Sequence, residues 1–290
     1  MIVTLCSDKG SPGVTTLATA LGLVWPGDRA VVEADPSGGD LAFRLRPDDR
    51  TGPSFLSADP SIASLATAAR LSTATAAAHR FEAPGLVEPS RFTQATSLGL
   101  PVVVGMRSHT RFQALRHAWP AVATALASWR GTAITDLGRF ESGMPAAPVA
   151  MASTAMLLVA RFDVESLARL RDRVVDLAAA LGPGPDGRVR AGVVVSASAK
   201  ERKSAEEQAA KLLDHVGSPV PLVGSVAWDP RAVTALWAGT VTRRLAGSDL
   251  VRSTRDVAEA VIAMWPELGA APDPGEDLPD PARSTAEVLT

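Results

Sequence analysis

The residues that decide the reading are Ile2-Val3-Thr4-Leu5-Cys6-Ser7-Asp8-Lys9-Gly10-Ser11-Pro12-Gly13-Val14-Thr15-Thr16. An apolar run opens the stretch, a loop with two glycines follows, and Leu17 to Val24 continues as an amphipathic helix. Strand, glycine-containing loop and helix in that order aim backbone N–H groups and a positive helix end at a phosphate. The consensus for such a loop is G-x-x-x-x-G-K-[ST], where the Lys reaches the phosphates and the hydroxyl sits on Mg²⁺. Gly13 and Thr15 fit it, whereas Asp8 stands at the first glycine and Val14 at the lysine. By the strict pattern the match fails.

Composition sets the bounds around this loop. With 290 residues, 46% hydrophobic and 21% charged, the chain has the length and apolar content for a large core. Four scattered His and the lone Cys6 give neither a metal-ligand cluster nor a disulfide framework. Cys6, at the end of the first predicted strand, reads as a buried structural thiol. Strand-like residues begin at Ile2 without a basic leader, and no apolar run approaches the ~20 residues of a membrane span. The expectation is a cytoplasmic protein. The net charge of −2 is unevenly placed, since five acidic residues and one Arg lie from Gly269 onward. That Pro-rich acidic stretch, 269–290, reads as a disordered tail, leaving 1–268 as one folded domain.

Along that domain strand and helix signals alternate. Ala30 to Ala34 is a second strand, residues 47–60 a loop, and Ser61 to His79 an Ala-rich helix. Leu100 to Gly105 contains a short buried strand, and Thr132 to Thr135 another, ending at Asp136. Between them Phe112, Leu115, Trp119, Val122, Leu126 and Trp129 recur at three- and four-residue steps, predicting one helix with an apolar face. Strands follow at Ala155–Ala160, Ala191–Val195 and Leu222–Val226, and helices over 167–181, 200–216, 229–238 and 249–265. Short apolar strands spaced by helices imply an α/β fold, a doubly wound, mainly parallel sheet of about seven strands with helices on both faces. Gly182-Pro183-Gly184-Pro185-Asp186-Gly187 spells G-x-G-x-x-G but follows a helix and precedes a strand, the reverse of a dinucleotide site. It is set aside.

Four places together resemble the ParA/MinD family of P-loop partitioning and positioning ATPases, whose deviant loop runs K-G-G-x-G-K-[ST]-T. Lys9-Gly10-Ser11-Pro12-Gly13-Val14-Thr15-Thr16 keeps the leading lysine, two glycines and both terminal hydroxyls, with Ser11 for a glycine and Val14 for the phosphate-gripping lysine. Glu33-Ala34-Asp35-Pro36 resembles the family's acidic pair after the second strand. Asp136-Leu137-Gly138-Arg139 stands in the Walker B position, and Asp229-Pro230 opens a helix that ends in Gly239, as in MinD-like proteins. The resemblance implies that Gly10, Ser11, Gly13, Val14, Thr15, Thr16, Asp229 and Pro230 line a nucleotide. It further implies that Thr15, Glu33, Asp35 and Asp136 order Mg²⁺, and that Lys9 and Asp35 act in hydrolysis. It also implies a homodimer in which Lys9 reaches the partner's phosphates, and protein partners of a localised assembly.

Loss of the P-loop lysine removes a charge-assisted hydrogen bond worth roughly 1.5–3 kcal/mol, about ten- to a hundredfold in affinity. Hydrolysis should suffer more, because that lysine also neutralises charge developing on the transferred group. The expectation is therefore a degenerate site, with weak or absent ATP/Mg²⁺ binding and turnover. The D-L-G-R ending at Arg139 is similar to TadZ/CpaE-like proteins that localise pilus machinery. Two alternatives stand beside this: a competent segregation ATPase that uses Lys9, and a scaffold that ignores nucleotide. Arg243 and Arg244 read as a solvated corner more readily than as a DNA patch. Nothing comparable to the basic C-terminal membrane helix of some family members is present.

Overall fold

The computed structural model describes residues 1–9, 12–49, 54–78, 87–182, 189–239 and 241–269. Gly10, Ser11, nearly all of the 269–290 tail and the glycine–proline run after Gly182 lie outside these residues. Seven strands are formed: β1 (Ile2–Ser7), β2 (Arg29–Glu33), β3 (Val102–Val103), β4 (Thr132–Arg139), β5 (Ala155–Arg161), β6 (Ala191–Ser198) and β7 (Leu222–Trp228). They make one sheet in the order β3-β2-β4-β1-β5-β6-β7, and every pairing between them is parallel. The expected doubly wound α/β fold is thus observed. Near-continuous burial of β1, β2, β4 and β6 accounts for their uninterrupted apolar runs, because both faces of the sheet are covered.

Eleven α-helices are described: α1 (Val14–Val24), α2 (Leu41–Arg44), α3 (Ile62–Ala78), α4 (His109–Ala114), α5 (Trp119–Ser128), α6 (Ala147–Met151), α7 (Val164–Leu181), α8 (Arg202–His215), α9 (Pro230–Trp237), α10 (Arg243–Ala246) and α11 (Asp249–Met264). Helices α3 to α8 supply one hydrophobic cluster, through side chains such as Leu65, Phe112, Trp119, Val149, Val174 and Ala205. The second cluster, on the other face, takes Leu17, Leu41, Leu236, Leu245 and Val257 from α1, α2, α9, α10 and α11. Helix α7 shows why the periodic runs fold as they do. Leu170, Val174, Leu177 and Leu181 form its buried stripe, and Asp163 caps it by accepting from the Ser166 N–H at 2.7 Å.

Two expectations need correction. The apolar run from Phe112 to Trp129 is not one helix, because the chain turns at residues 115–118 and restarts at Trp119-Pro120. Pro120 cannot donate into a preceding turn but suits the first turn of a new helix, so periodicity survived a break that proline imposed. Strand β4 also continues past Asp136 to Arg139, which puts Asp136 inside the sheet.

The outer strand β7 presents backbone groups away from β6, and two of these are taken. The Ser225 carbonyl accepts from Arg202 Nη2 at 2.9 Å, and the Ala227 N–H donates to Ser253 Oγ at 2.9 Å. At the opposite edge β3 has two residues, and Gln94 exchanges backbone hydrogen bonds with Val102 there.

Candidate functional site

The order of the sheet places β1 between β4 and β5, where chain progression reverses direction. In open parallel sheets the crevice beyond the strand ends at such a reversal is where ligands sit. The loop after β1 reaches this crevice and enters α1 through Gly13, whose φ of +96° is left-handed backbone that a side chain would strain. No side chain caps α1, and its first turn holds no acidic residue. An uncapped helix start leaves N–H groups and the positive end of the dipole available to an anion.

The residues of that first turn divide. Thr15 is half-buried and Thr16 buried, while Val14 is 6% exposed and packs into the second hydrophobic cluster. Val14 therefore extends the core at the place where the P-loop consensus has a charged lysine. Lys9 is exposed on the crevice side of β1. Beside it Asp8 lies 3.6 Å from Arg173 Nε of α7, and Arg173 Nη2 donates to the Phe140 carbonyl at 2.6 Å. One guanidinium thus ties the loop after β1 to the chain leaving β4. Nothing local in the sequence pairs Asp8 with Arg173, 165 residues away. Cys6 is fully buried, and burial pushes its thiol up to about 12, consistent with the structural reading.

Three carboxylates converge next to this turn. Register pairs Glu33 of β2 with Asp136 of β4, and Asp35 follows two residues later. Asp136 is completely buried; its Oδ1 accepts from the Gly138 N–H at 2.9 Å, while Oδ2 has no hydrogen-bond partner. Burial pushes its carboxyl up to about 6; the Thr15 hydroxyl beside it and the Gly138 N–H pull the other way, and Asp35 adds to the rise. Asp35 is also raised by burial, and its Oδ1 accepts from the Ser37 N–H at 2.7 Å. Gly138, at φ +57°, has to be glycine, since a Cβ there would fall inside the Asp35 carboxylate.

Glu33 is differently employed. Its Oε1 accepts from the N–H groups of Asp40 and Leu41 at 2.7 and 2.9 Å, and its Oε2 from Gly105 at 2.8 Å. Burial still pushes the carboxyl up to about 7 against those three bonds. It clamps the start of α2 to the chain leaving β3, an arrangement the sequence did not signal. Glycines at 39 and 105 permit the close approach.

The donor set suits Mg²⁺ bound together with phosphate. An orphaned carboxylate oxygen, an adjacent threonine hydroxyl and a second acid form an incomplete oxygen shell, and Mg²⁺ commonly completes its octahedron with phosphate and water. Among the described residues no group of three or more His, Cys, Asp or Glu could hold a metal unaided. Asp229 and Pro230 lie farther along the crevice at the head of α9. Asp229 Oδ1 accepts from the Arg231 and Ala232 N–H groups at 3.1 and 3.0 Å, so it caps that helix. They line a cleft of about 600 Å³ together with Trp228, a residue the sequence reading passed over although it adjoins the Asp-Pro pair. Arg243 and Arg244 begin α10, with Arg244 on the wall of the same cleft.

No protein-family model matches the chain, and no curated protein matches it. Solved structures do. A ParA family ATPase from Chlorobium tepidum TLS superposes with a TM-score of 0.64 at 16% identity, over 89% of this chain and 98% of that one. The septum site-determining protein MinD of Pyrococcus horikoshii OT3, complexed with Mg-ADP, gives 0.58 at 16% identity, over 91% and 96%. Apo McdA from Cyanothece gives 0.62 at 17% identity, over 90% and 98%. Among the described residues no helix is long and apolar enough to cross a membrane. At these identities the likeness shows the fold, and the fold it shows is that of the ParA/MinD ATPases.

Proposed function

We propose that the chain is a ParA/MinD-like positioning protein with a degenerate nucleotide site, binding Mg²⁺-nucleotide weakly and hydrolysing it slowly or not at all. The observation that carries this reading is the buried, unpartnered Asp136 Oδ2 beside Thr15 at the uncapped start of α1. An isolated buried carboxylate oxygen is costly, and a cation coordinated there would remove the cost. Val14 supports the degenerate half of the proposal, because a side chain in the core offers no charge to a phosphate.

In this reading Asp136 and Thr15 hold Mg²⁺, Asp35 orders its water shell, and the α1 N–H groups receive phosphate. Glu33 is a positioning residue, since its oxygens are occupied with backbone. Gly10, Ser11, Gly13 and Thr16 would complete the phosphate loop, and Asp229-Pro230 its far edge. Lys9, exposed at the crevice, is placed to meet a second copy across the bound nucleotide, so the working form is a homodimer that recruits partners of a localised assembly. A cell-division or pilus machine is the cargo class we favour: the septum site-determining MinD among the fold relatives supports the first, and the Asp136-Leu137-Gly138-Arg139 ending the second.

The test is calorimetric titration of ATP and ADP with Mg²⁺ into the wild type and Val14→Lys. Weak binding by the wild type, strengthened about ten- to a hundredfold by lysine, is the expected result, with hydrolysis slow in the wild type. Silence in both proteins removes the nucleotide reading, and brisk wild-type turnover removes the degenerate one.

A further inference from the structure

Trp228 has no part in the site as assigned so far. The chain has six tryptophans. Trp25, Trp119 and Trp265 are buried, and Trp129 and Trp237 pack half-buried against the core, Trp237 beneath the Arg44 guanidinium. Trp228, the last residue of β7, is 46% exposed. Leaving half an indole in water forgoes much of what its burial would contribute, so its position calls for a reason.

The ring stands against the phosphate-loop turn: a Cβ built on Gly13 would lie 3.8 Å from its Cζ3. It also forms a wall common to two clefts at the carboxyl ends of the strands. One is the 600 Å³ cleft beside Asp229 and Pro230; the other, of about 240 Å³, runs past Pro12, Arg161, Ser196, Ser198 and Glu201. That second cleft begins at the loop that opens α1 and leads away from it across β5 and β6. Its far wall carries hydroxyls and a carboxylate, with Ser198 Oγ donating to Glu201 Oε2 at 2.5 Å. A flat apolar face opposite a polar edge, both reached from a phosphate-binding turn, is the layout that a heteroaromatic base attached to a phosphate requires.

We propose that Trp228 is the stacking platform for the base of a purine nucleotide whose phosphates lie at the start of α1. This rests on the nucleotide reading above and adds the group that grips the other end of the ligand. A two-ring base covers more of the indole than a pyrimidine does, which selects purines. Stacking of a base on an aromatic side chain is worth about ten- to a hundredfold in affinity. The platform thus recovers part of the affinity that Val14 forfeits, leaving binding weak, and does nothing for phosphoryl transfer.

The experiment compares Mg-ATP with Mg-tripolyphosphate, which has the phosphates and no base, by calorimetry on the wild type, Trp228→Ala and Trp228→Phe. Trp228→Ala should bind Mg-ATP about ten- to a hundredfold more weakly and tripolyphosphate as the wild type does, with Trp228→Phe recovering most of the loss. Wild-type tryptophan emission should quench on adding Mg-ATP, and that quench should be absent in Trp228→Phe, a variant whose fold the half-exposed position does not threaten. Unchanged or tighter Mg-ATP binding by Trp228→Ala, beside intact tripolyphosphate binding, overturns the platform alone. Failure of the wild type to bind either probe overturns the phosphate site and the platform with it.

Discussion

Replacing Asp136 by Asn should make the ligand-free protein more stable, against the usual effect of changing a fully buried residue. The folded carboxyl titrates near 6 instead of its ordinary 3.8. Between those values the folded chain holds a proton that the unfolded chain has released, so stability falls as pH rises through this window. Once ionised at pH 8 the group costs the folded state about 3 kcal/mol, and about half of that at pH 5. Asparagine keeps an oxygen for the Gly138 N–H and places an amide beside the Thr15 hydroxyl, with one N–H unpaired at a cost of about 1 kcal/mol. The net gain is about 2 kcal/mol at pH 8 and less than 1 kcal/mol at pH 5. For a chain of this size that raises Tm by roughly 4–8 °C at pH 8. The assay is thermal unfolding of both proteins at the two pH values, with and without Mg-ATP. The wild type should gain stability from Mg-ATP, as any ligand of the native state requires, and the variant should not. A loss of stability that is equal at pH 8 and pH 5 would refute the reasoning.

Glu33→Ala strips the acceptor from the Asp40, Leu41 and Gly105 N–H groups, at about 1 kcal/mol each; their hydrogen exchange should accelerate, whereas Asp136→Asn leaves it unchanged. Gly138→Ala meets both a left-handed backbone and the Asp35 carboxylate, and should lower stability by about 1–3 kcal/mol in urea unfolding. Arg173→Ala severs the tie between Asp8 and the Phe140 carbonyl, and limited proteolysis should then cut in the loop after β1 more readily than in the wild type.

The sheet was legible because burial on both faces leaves each strand a plain apolar run, as at Val102-Val103 and Leu157–Val159. The short helices α2, α6 and α10 were not, since four or five residues contain too little periodicity to register. Phe112 to Trp129 misled for the opposite reason: apolar spacing persisted across a turn set by Pro120. At the site, Asp35 and Asp136 could be expected near the carboxyl ends of β2 and β4, although β4 runs on past Asp136 to Arg139. The clamp formed by Glu33 could not, because it is made with backbone N–H groups that carry no sequence signature. Nor could Arg173, whose partner Asp8 becomes a neighbour only when α7 packs on β5, the strand next to β1. Trp228 was readable in part, being adjacent to Asp229-Pro230, but only its exposure singles it out from five tryptophans that serve the core.

The occupied edge of β7 bears on how copies of this chain can associate. A bare outer strand invites another chain to extend the sheet, the route by which many proteins aggregate or polymerise. Here Arg202 and Ser253 hold the Ser225 carbonyl and the Ala227 N–H that an incoming strand would need. At the other margin, two residues of β3 offer too short a template. Lateral growth of the sheet is hindered at both sides, which favours self-assembly through side chains and loops, whose contacts a bound ligand can make or release.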